Sequence, residues 1–303
     1  MLELFLVRTI TFILNLLPIS WRRAIVSRAL RLVAKINQKH LKVAERNLSR
    51  AFPEKDAVWR RQIINLCYES LARMLVDLFR LHTISESEIR ETVIFPEHEK
   101  FFELITSKRP VILAAGHLGN FELLARSLAL NGAKSAVVAR EFRPKGLNRW
   151  WTWQRESCGN IVVPRDGALK AAIKCLKIHK PIGVLFDQNI TRQFADFIDW
   201  FGIPAATSRL VGLLAVRSQA LVIVFSIKYL DNGKYQVVYK VRDFESIYLD
   251  STISQNAKVF KINSEISSDY VEMIKDNPGE WFWMHRRWKT RPDGEPETFY
   301  SDL

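Results

Sequence analysis

The chain has 303 residues and a net charge of +13, is 48% hydrophobic and 25% charged, and holds 12 Gly and 11 Pro. These values exclude wholesale disorder, a collagen-like repeat and a polytopic membrane protein. A chain this long buries about 75% of its unfolded surface, so its core needs no disulfide or metal staple.

The charge is concentrated at the start. Residues 1–50 hold ten Lys/Arg against Glu3 and Glu45, which is +8 of the total. The apolar run from Met1 to Leu17 is broken by Glu3 and Arg8 and ends at Pro18. It falls short of the ~20 residues of a spanning helix. It also lacks the basic start and small-residue cleavage site of a signal peptide. An apolar helix followed by a polybasic segment suits an interfacial anchor on an anionic membrane surface. Packing into the protein's own core and docking on a partner are the alternatives. Nucleic acid is the rival partner for a basic chain. No zinc-finger spacing, RNA-recognition aromatic motif or recognition helix supports it, so no nucleic-acid partner is expected.

Residues 20–51 read as helical, and residues 57–82 carry one apolar stripe of Ile63, Ile64, Cys67, Leu71, Met74, Leu75 and Leu78. From residue 110 short β-rich runs (Val111–Ala115, Ala136–Ala139, Ile161–Val163, Ile182–Phe186) alternate with helical patterns near 120–131, 146–157 and 167–178. That alternation predicts an α/β fold with a mixed, largely parallel sheet flanked by helices. Leu221–Tyr229 and Tyr235–Val241 flank Asp231-Asn232-Gly233, a hairpin signal that adds an antiparallel part. A last helix is expected from about 252 to 276. The expected organisation is a membrane-associated helix at 1–20 and a single domain at 21–303. Within that domain a helical arm reaches to about 85 and the α/β core begins at about 108. Cys67, Cys158 and Cys175 form no CxxC pair, which argues against a disulfide framework and a cysteine zinc site.

The segment with the most chemistry is Pro110-Val-Ile-Leu-Ala-Ala-Gly-His117-Leu-Gly-Asn120-Phe-Glu122. A buried-type strand runs into Gly116 and His117 just before a helix, where α/β folds place ligands. Five residues of regular helix turn through about 500°, roughly 140° off one face. His117 therefore meets Glu122 only if it sits in the turn ahead of the helix. In that geometry the carboxylate holds one ring nitrogen and the other faces substrate, as a general base requires. The spacing alone favours a capping His and a surface Glu, and the strand–Gly–His–loop–helix context brings the two readings level.

His117-Leu-Gly-Asn-Phe-Glu122 resembles the HX4(D/E) motif of glycerolipid-type acyltransferases. More narrowly, it resembles the GHxGNWE form of the bacterial lipid A biosynthesis (lauroyl/myristoyl) acyltransferase family. Other pieces resemble that family in chain order: Glu45-Arg46-Asn47-Leu48 with Ala51-Phe52-Pro53, Val163-Pro-Arg165-Asp-Gly167, and Phe186-Asp187-Gln188-Asn189. Trp200-Phe-Gly202 with Ala206-Thr207 and Trp283-Met-His-Arg286-Arg287-Trp-Lys289-Thr-Arg291-Pro292 complete the set. Phe121 stands where Trp is usual, Phe186 where Pro is, and Asn189 where a second acid is.

The resemblance implies a glycerolipid-acyltransferase-like fold and transfer of a fatty acyl chain from acyl-carrier protein to a hydroxyl of a Kdo-lipid IVA-type glycolipid. It places the enzyme on the cytoplasmic face of the inner membrane, with His117 and Glu122 as the catalytic dyad. No metal or organic cofactor is expected. Arg155, Arg165 and Asp187 fall in segments the family pattern marks. Phosphate or carrier binding by the arginines, with Asp187 positioning, stands against a structural Arg–Asp pair. Arg286, Arg287, Lys289 and Arg291 make a +4 run without an acid, suited to phosphate or an acidic carrier protein. His285, inside that run, reads as packing. The tryptophans Trp150, Trp151, Trp153, Trp200, Trp281, Trp283 and Trp288 serve either core or membrane interface. An acyltransferase acting on another phospholipid or glycolipid, and a catalytically silent lipid-binding protein, remain as alternatives.

Overall fold

The computed structural model describes residues 2–36, 38–296 and 298–303. In chain order the helices are α1 (Leu2–Asn15), α2 (Ile19–Ile36), α3 (Gln38–Ala51), α4 (Ala57–Arg80), α5 (Glu86–Thr92) and α6 (His98–Thr106). They continue with α7 (Phe121–Leu130), α8 (Lys145–Glu156), α9 (Ala168–Lys177), α10 (Leu210–Ser218), α11 (Glu245–Leu249) and α12 (Gln255–Asp276). The strands are β1 (Val93–Ile94), β2 (Val111–Ala115), β3 (Ala136–Ala139), β4 (Ile161–Pro164), β5 (Ile182–Leu185), β6 (Ala195–Trp200), β7 (Ile203–Ser208), β8 (Leu221–Tyr229) and β9 (Tyr235–Arg242).

Among the described residues, seven strands form one sheet in the order β1-β9-β8-β2-β5-β3-β4. Every pairing in it is parallel except the β8–β9 hairpin. Strands buried on both faces must be apolar on both, and β2 is: all five of its residues are buried. Ile112 and Ala114 join a core cluster with α9, α10 and α12, while Val111, Leu113 and Ala115 join one with α7 and Trp150 of α8. After β2 the chain passes over to β3 and β4 and returns to β5, which lies next to β2. The crossing leaves a crevice beyond the carboxyl ends of β2 and β5, where open α/β sheets bind ligands.

The hairpin of β6 and β7 stands apart from the main sheet. Phe201 and Gly202 connect it with φ of 57° and 77°, the paired positive φ of a tight turn. It was expected only as a family stretch, without a structure assigned. The apolar stripe of α4 is borne out: Ile63, Ile64, Cys67, Met74 and Leu78 are buried. The tryptophans went mostly inward. Trp150, Trp200, Trp281, Trp283 and Trp288 are buried, and Trp153 is 45% exposed.

No described helix is long and apolar enough to cross a membrane. In α1, Leu4, Val7 and Leu14 pack on the body and Thr11 is buried, a 3–4 spacing that marks one face. Phe5, Leu6, Ile10, Phe12 and Ile13 remain exposed on the rest of the helix. The helix is thus apolar on both sides, and half of it faces outward. Its start is fixed by α8: the Glu3 carboxylate accepts the Gly146 N–H at 3.2 Å, an acid on a helix N-terminus. A Cβ on Gly146 would lie 2.9 Å from the backbone nitrogen of Leu4. Gly146→Val should therefore undock α1. Limited trypsin digestion should cut at Arg8 several times faster while the melting temperature of the body falls by only a few degrees; unchanged cleavage would contradict this docking.

Candidate active site

The site is built where two parallel strands end together. Ala115 of β2 pairs in register with Leu185 of β5, so the residues that follow, His117 and Asp187, leave the sheet side by side. Asp187 is 1% exposed, and three donors converge on its carboxylate. Its Oδ1 accepts from His117 Nδ1 at 2.8 Å, and its Oδ2 accepts the His117 backbone N–H and Trp281 Nε1, each at 2.8 Å. Gly116 is required between them. A Cβ there would lie 2.5 Å from Cγ of Asp187 and 2.6 Å from the Tyr270 hydroxyl. Gly119, at φ 68°, turns the chain into α7, and a Cβ on it would run into the Ile227 carbonyl at 1.7 Å.

Burial works against a charge on Asp187. The His117 ring and the donors around the carboxylate outweigh it and hold the pKa down at about 2. Nδ1 of His117 thus carries the proton given to Asp187, and Nε2 is left to accept. The Gln188 side-chain amide stands 3.2 Å from Nε2, and the Phe121 ring packs edge-on against the imidazole with centroids 5.0 Å apart.

Glu122 does something else. The expected His117–Glu122 contact is not made: Glu122 is buried on α7, and its carboxylate faces α8. Oε1 accepts from Trp151 Nε1 at 2.9 Å and Arg155 Nη2 at 2.6 Å, and Oε2 from Arg155 Nε at 3.0 Å. The physical reason is the helix. His117 does sit in the turn ahead of α7, but its Nδ1 is already satisfied by the carboxylate on the neighbouring strand. Arg155 is correspondingly a structural partner of Glu122 and lies over the Trp151 ring at 5.6 Å.

A cavity of about 660 Å³ opens at these residues, within the usual range for small-ligand sites. His117, Glu122, Arg155, Gln188, Glu280 and His285 are among its polar lining, and Arg140 and Arg165 lie exposed at its edge. Leu113, Leu124, Leu128, Val137, Leu185 and Phe225 line the rest, between the sheet and α7. The cavity is a largely apolar slot that ends at an imidazole. The Arg165–Asp187 pair is not formed, because Asp187 is spent on His117.

The C-terminal basic run, expected as a surface for phosphate or an acidic carrier protein, is turned mostly inward. Arg287 is 0% exposed. It donates to the Ala206 carbonyl at 2.8 Å and the Thr207 hydroxyl at 2.6 Å, and it lies over the Trp200 ring at 4.4 Å. Burial pushes its pKa down to about 10. Arg291, also buried, donates to the Pro204 carbonyl at 2.6 Å. Arg286 is half-buried, donates to the Leu303 carbonyl at 3.0 Å and lies over Tyr300. These arginines fasten the β6–β7 hairpin and the chain end to the core, because alternating tryptophans draw the segment inward. Lys289 alone of the four is exposed.

Sequence reasoning missed two features that the fold supplies. Asn47 is fully buried on α3 and donates to the Trp283 and His285 carbonyls at 2.7 and 2.8 Å, anchoring the segment that carries His285. His285 itself, read as packing, lines the cavity and accepts the Asn189 backbone N–H on Nε2 at 2.8 Å. Asn189 in turn bonds Thr290 through both its amide nitrogen and its oxygen.

An α/β sheet with a carboxylate-held histidine at a topological switch point, opening on an apolar slot, has the layout of an enzyme centre. The description of the bacterial lipid A biosynthesis acyltransferases matches residues 1–290, and the chain belongs to that family. It is 23% identical over 286 residues to "Lipid A biosynthesis acyltransferase 2" of Shigella flexneri, covering 94% of this chain and 89% of that one. It is 26% identical over 274 residues to the "Lipid A biosynthesis lauroyltransferase" of Escherichia coli strain K12, covering 89% and 85%. It is also 23% identical over 251 residues to the "Phosphatidylinositol mannoside acyltransferase" of Mycolicibacterium smegmatis, covering 80% and 78%.

Because the folded pKa of Asp187 is depressed, its stabilisation is complete above the ordinary carboxylate range and is lost as pH falls through about 2. The stability gap between wild type and Asp187→Asn should shrink by on the order of 2 kcal/mol between pH 5 and pH 2 in denaturant titrations. A gap that stays constant across that range would contradict a charged Asp187.

Proposed function

We propose that the protein transfers a fatty acyl group from an acyl thioester, carried on acyl-carrier protein, to a hydroxyl of a lipid A precursor glycolipid at an anionic membrane surface. The observation that carries this reading is the apolar slot ending at Nε2 of a carboxylate-held histidine. Family membership supports the acyl chemistry and the lipid A-type acceptor.

His117 is the general base. Nδ1–H on Asp187 fixes the tautomer and the ring plane, so Nε2 is the proton acceptor. The acceptor hydroxyl would replace the Gln188 amide at Nε2. Its oxygen attacks the thioester carbonyl, its proton passes to Nε2, and buried Asp187 stabilises the imidazolium that forms. The tetrahedral intermediate collapses with loss of the thiolate, which takes the proton back from His117. Glu122, locked with Arg155 and Trp151, holds the wall of the slot and keeps α7 and α8 in register beside the base. Exposed Arg165 at the slot's edge suits an anionic group of donor or acceptor.

The apolar outer face of α1, with Leu16, Ile19 and Trp21 exposed beyond it, suits burial in the headgroup region of the inner membrane's cytoplasmic leaflet. Exposed Arg28, Arg31 and Lys35 on α2 suit its anionic lipids. In this reading the helix lies in the interface. A second acceptor class, mannosylated phospholipid, follows from the likeness to the M. smegmatis protein.

Purified protein should transfer acyl chains from acyl-carrier-protein thioesters to a Kdo-lipid IVA-type acceptor in detergent. His117→Ala and Asp187→Asn should each lower kcat by about 10²–10⁴-fold. Transfer to phosphatidylinositol mannoside alone would move the acceptor class, and full turnover in His117→Ala would remove the base mechanism.

A further inference from the structure

Acyl transfer makes one demand that His117 and Asp187 do not meet. As the hydroxyl attacks, the thioester oxygen takes a negative charge, and donors aimed at it beforehand lower the barrier. Of the arginines that line the cavity, Arg155 is committed to Glu122, and Arg140 and Arg165 lie exposed at its rim. His285 is not committed in that way. Its main chain is pinned by Asn47, and its ring lines the same cavity as His117. Gln188 and Asn189, consecutive in the chain, link the two rings. The Gln188 amide is 3.2 Å from Nε2 of His117, and the Asn189 N–H is 2.8 Å from Nε2 of His285.

A ring nitrogen that accepts a hydrogen bond carries no proton, so the proton of a neutral His285 is on Nδ1. Among the described residues that N–H has no acceptor, yet Nδ1 is not one of the unpartnered polar atoms sealed inside the protein. The Nδ1–H therefore keeps accessible surface, on a ring that lines the cavity. Burial, aided by Arg287 and His117 against the opposing pull of Asp187, lowers the His285 pKa to about 4, so the ring is neutral in the working range. A neutral imidazole held this way serves as an electrophile toward a carbonyl oxygen.

We propose that His285 is the oxyanion donor of the acyl transfer: its Nδ1–H bonds the thioester carbonyl oxygen as the tetrahedral intermediate forms. The role rests on the acyl-transfer reading above. The C–O bond forms at the acceptor oxygen, whose proton goes to His117. The charge on the thioester oxygen faces His285, which keeps its own proton throughout. When the C–S bond breaks, the charge leaves with the thiolate, which takes the proton from His117.

Two substitutions separate donor from scaffold. In His285→Gln the side-chain carbonyl reaches the Nε2 position and keeps the Asn189 bond, with no donor at Nδ1. In His285→Asn the amide nitrogen stands at the Nδ1 position and the Asn189 bond is lost. Each is assayed for transfer to the glycolipid acceptor and for hydrolysis of the acyl thioester by water, beside a melting curve. His285→Gln should lower kcat about 10²-fold in both reactions with KM and melting temperature nearly unchanged, and His285→Asn should lose about tenfold or less. Equal losses in the two variants, a loss that tracks a lower melting temperature, or His285→Gln at wild-type turnover would overturn the role. Wild type inactive in both reactions would instead sink the acyl-transfer reading, and His285's role with it.

Discussion

The site depends on one sealed carboxylate. Asp187 is removed from water and stays charged because three donors meet it: the His117 ring, the His117 main chain and the Trp281 indole. A buried carboxylate without them would neutralise. The same three bonds tie β2, β5 and the C-terminal segment to one point, so positioning the His117 ring and closing the crevice are a single structural act. Gly116 and Gly119 are consequences of it. The first lets Asp187 come close enough, and the second turns the chain into α7 past the Ile227 carbonyl.

Around that point the fold divides the labour. The C-terminal arginines hold the β6–β7 hairpin against the core. Asn47 on α3 holds the backbone of His285, and Glu122 with Arg155 holds α7 to α8. Helix α1, capped onto α8 through Glu3, brings an apolar outward face to the molecule. A buried ion pair such as Glu122–Arg155 contributes little net stability compared with apolar packing, but removing one partner strands the other charge. A site wall made of one is therefore sensitive to single substitutions, even where no bond to His117 is involved.

The sequence made the frame legible. β2, β3 and β8 lie at the residues that alternation and β-branched runs predicted, and the largely parallel sheet with an antiparallel hairpin follows from the same pattern. Partner choice was less legible. Glu122 is five residues from His117 and looked like its carboxylate; Asp187 is seventy residues away and reaches His117 only because β5 returns to lie beside β2. Strand order of that kind is a tertiary result that periodicity does not encode. The run from Arg286 to Arg291 misled for another reason. Charge was read as surface, whereas the interleaved Trp281, Trp283 and Trp288 were the signal that the segment threads the core. His285 carried no distinguishing signal, since its role depends on the Asn189 N–H that meets it.

The most direct test of the central claim is the protonation of the His117 ring, read by NMR of nitrogen-labelled histidine in wild type, Asp187→Asn and Glu122→Gln, with the signal assigned by His117→Gln. A low-field Nδ1–H resonance should be present in wild type, persist in Glu122→Gln and disappear in Asp187→Asn. A resonance that survives Asp187→Asn and vanishes in Glu122→Gln would show that Glu122, not Asp187, holds the base.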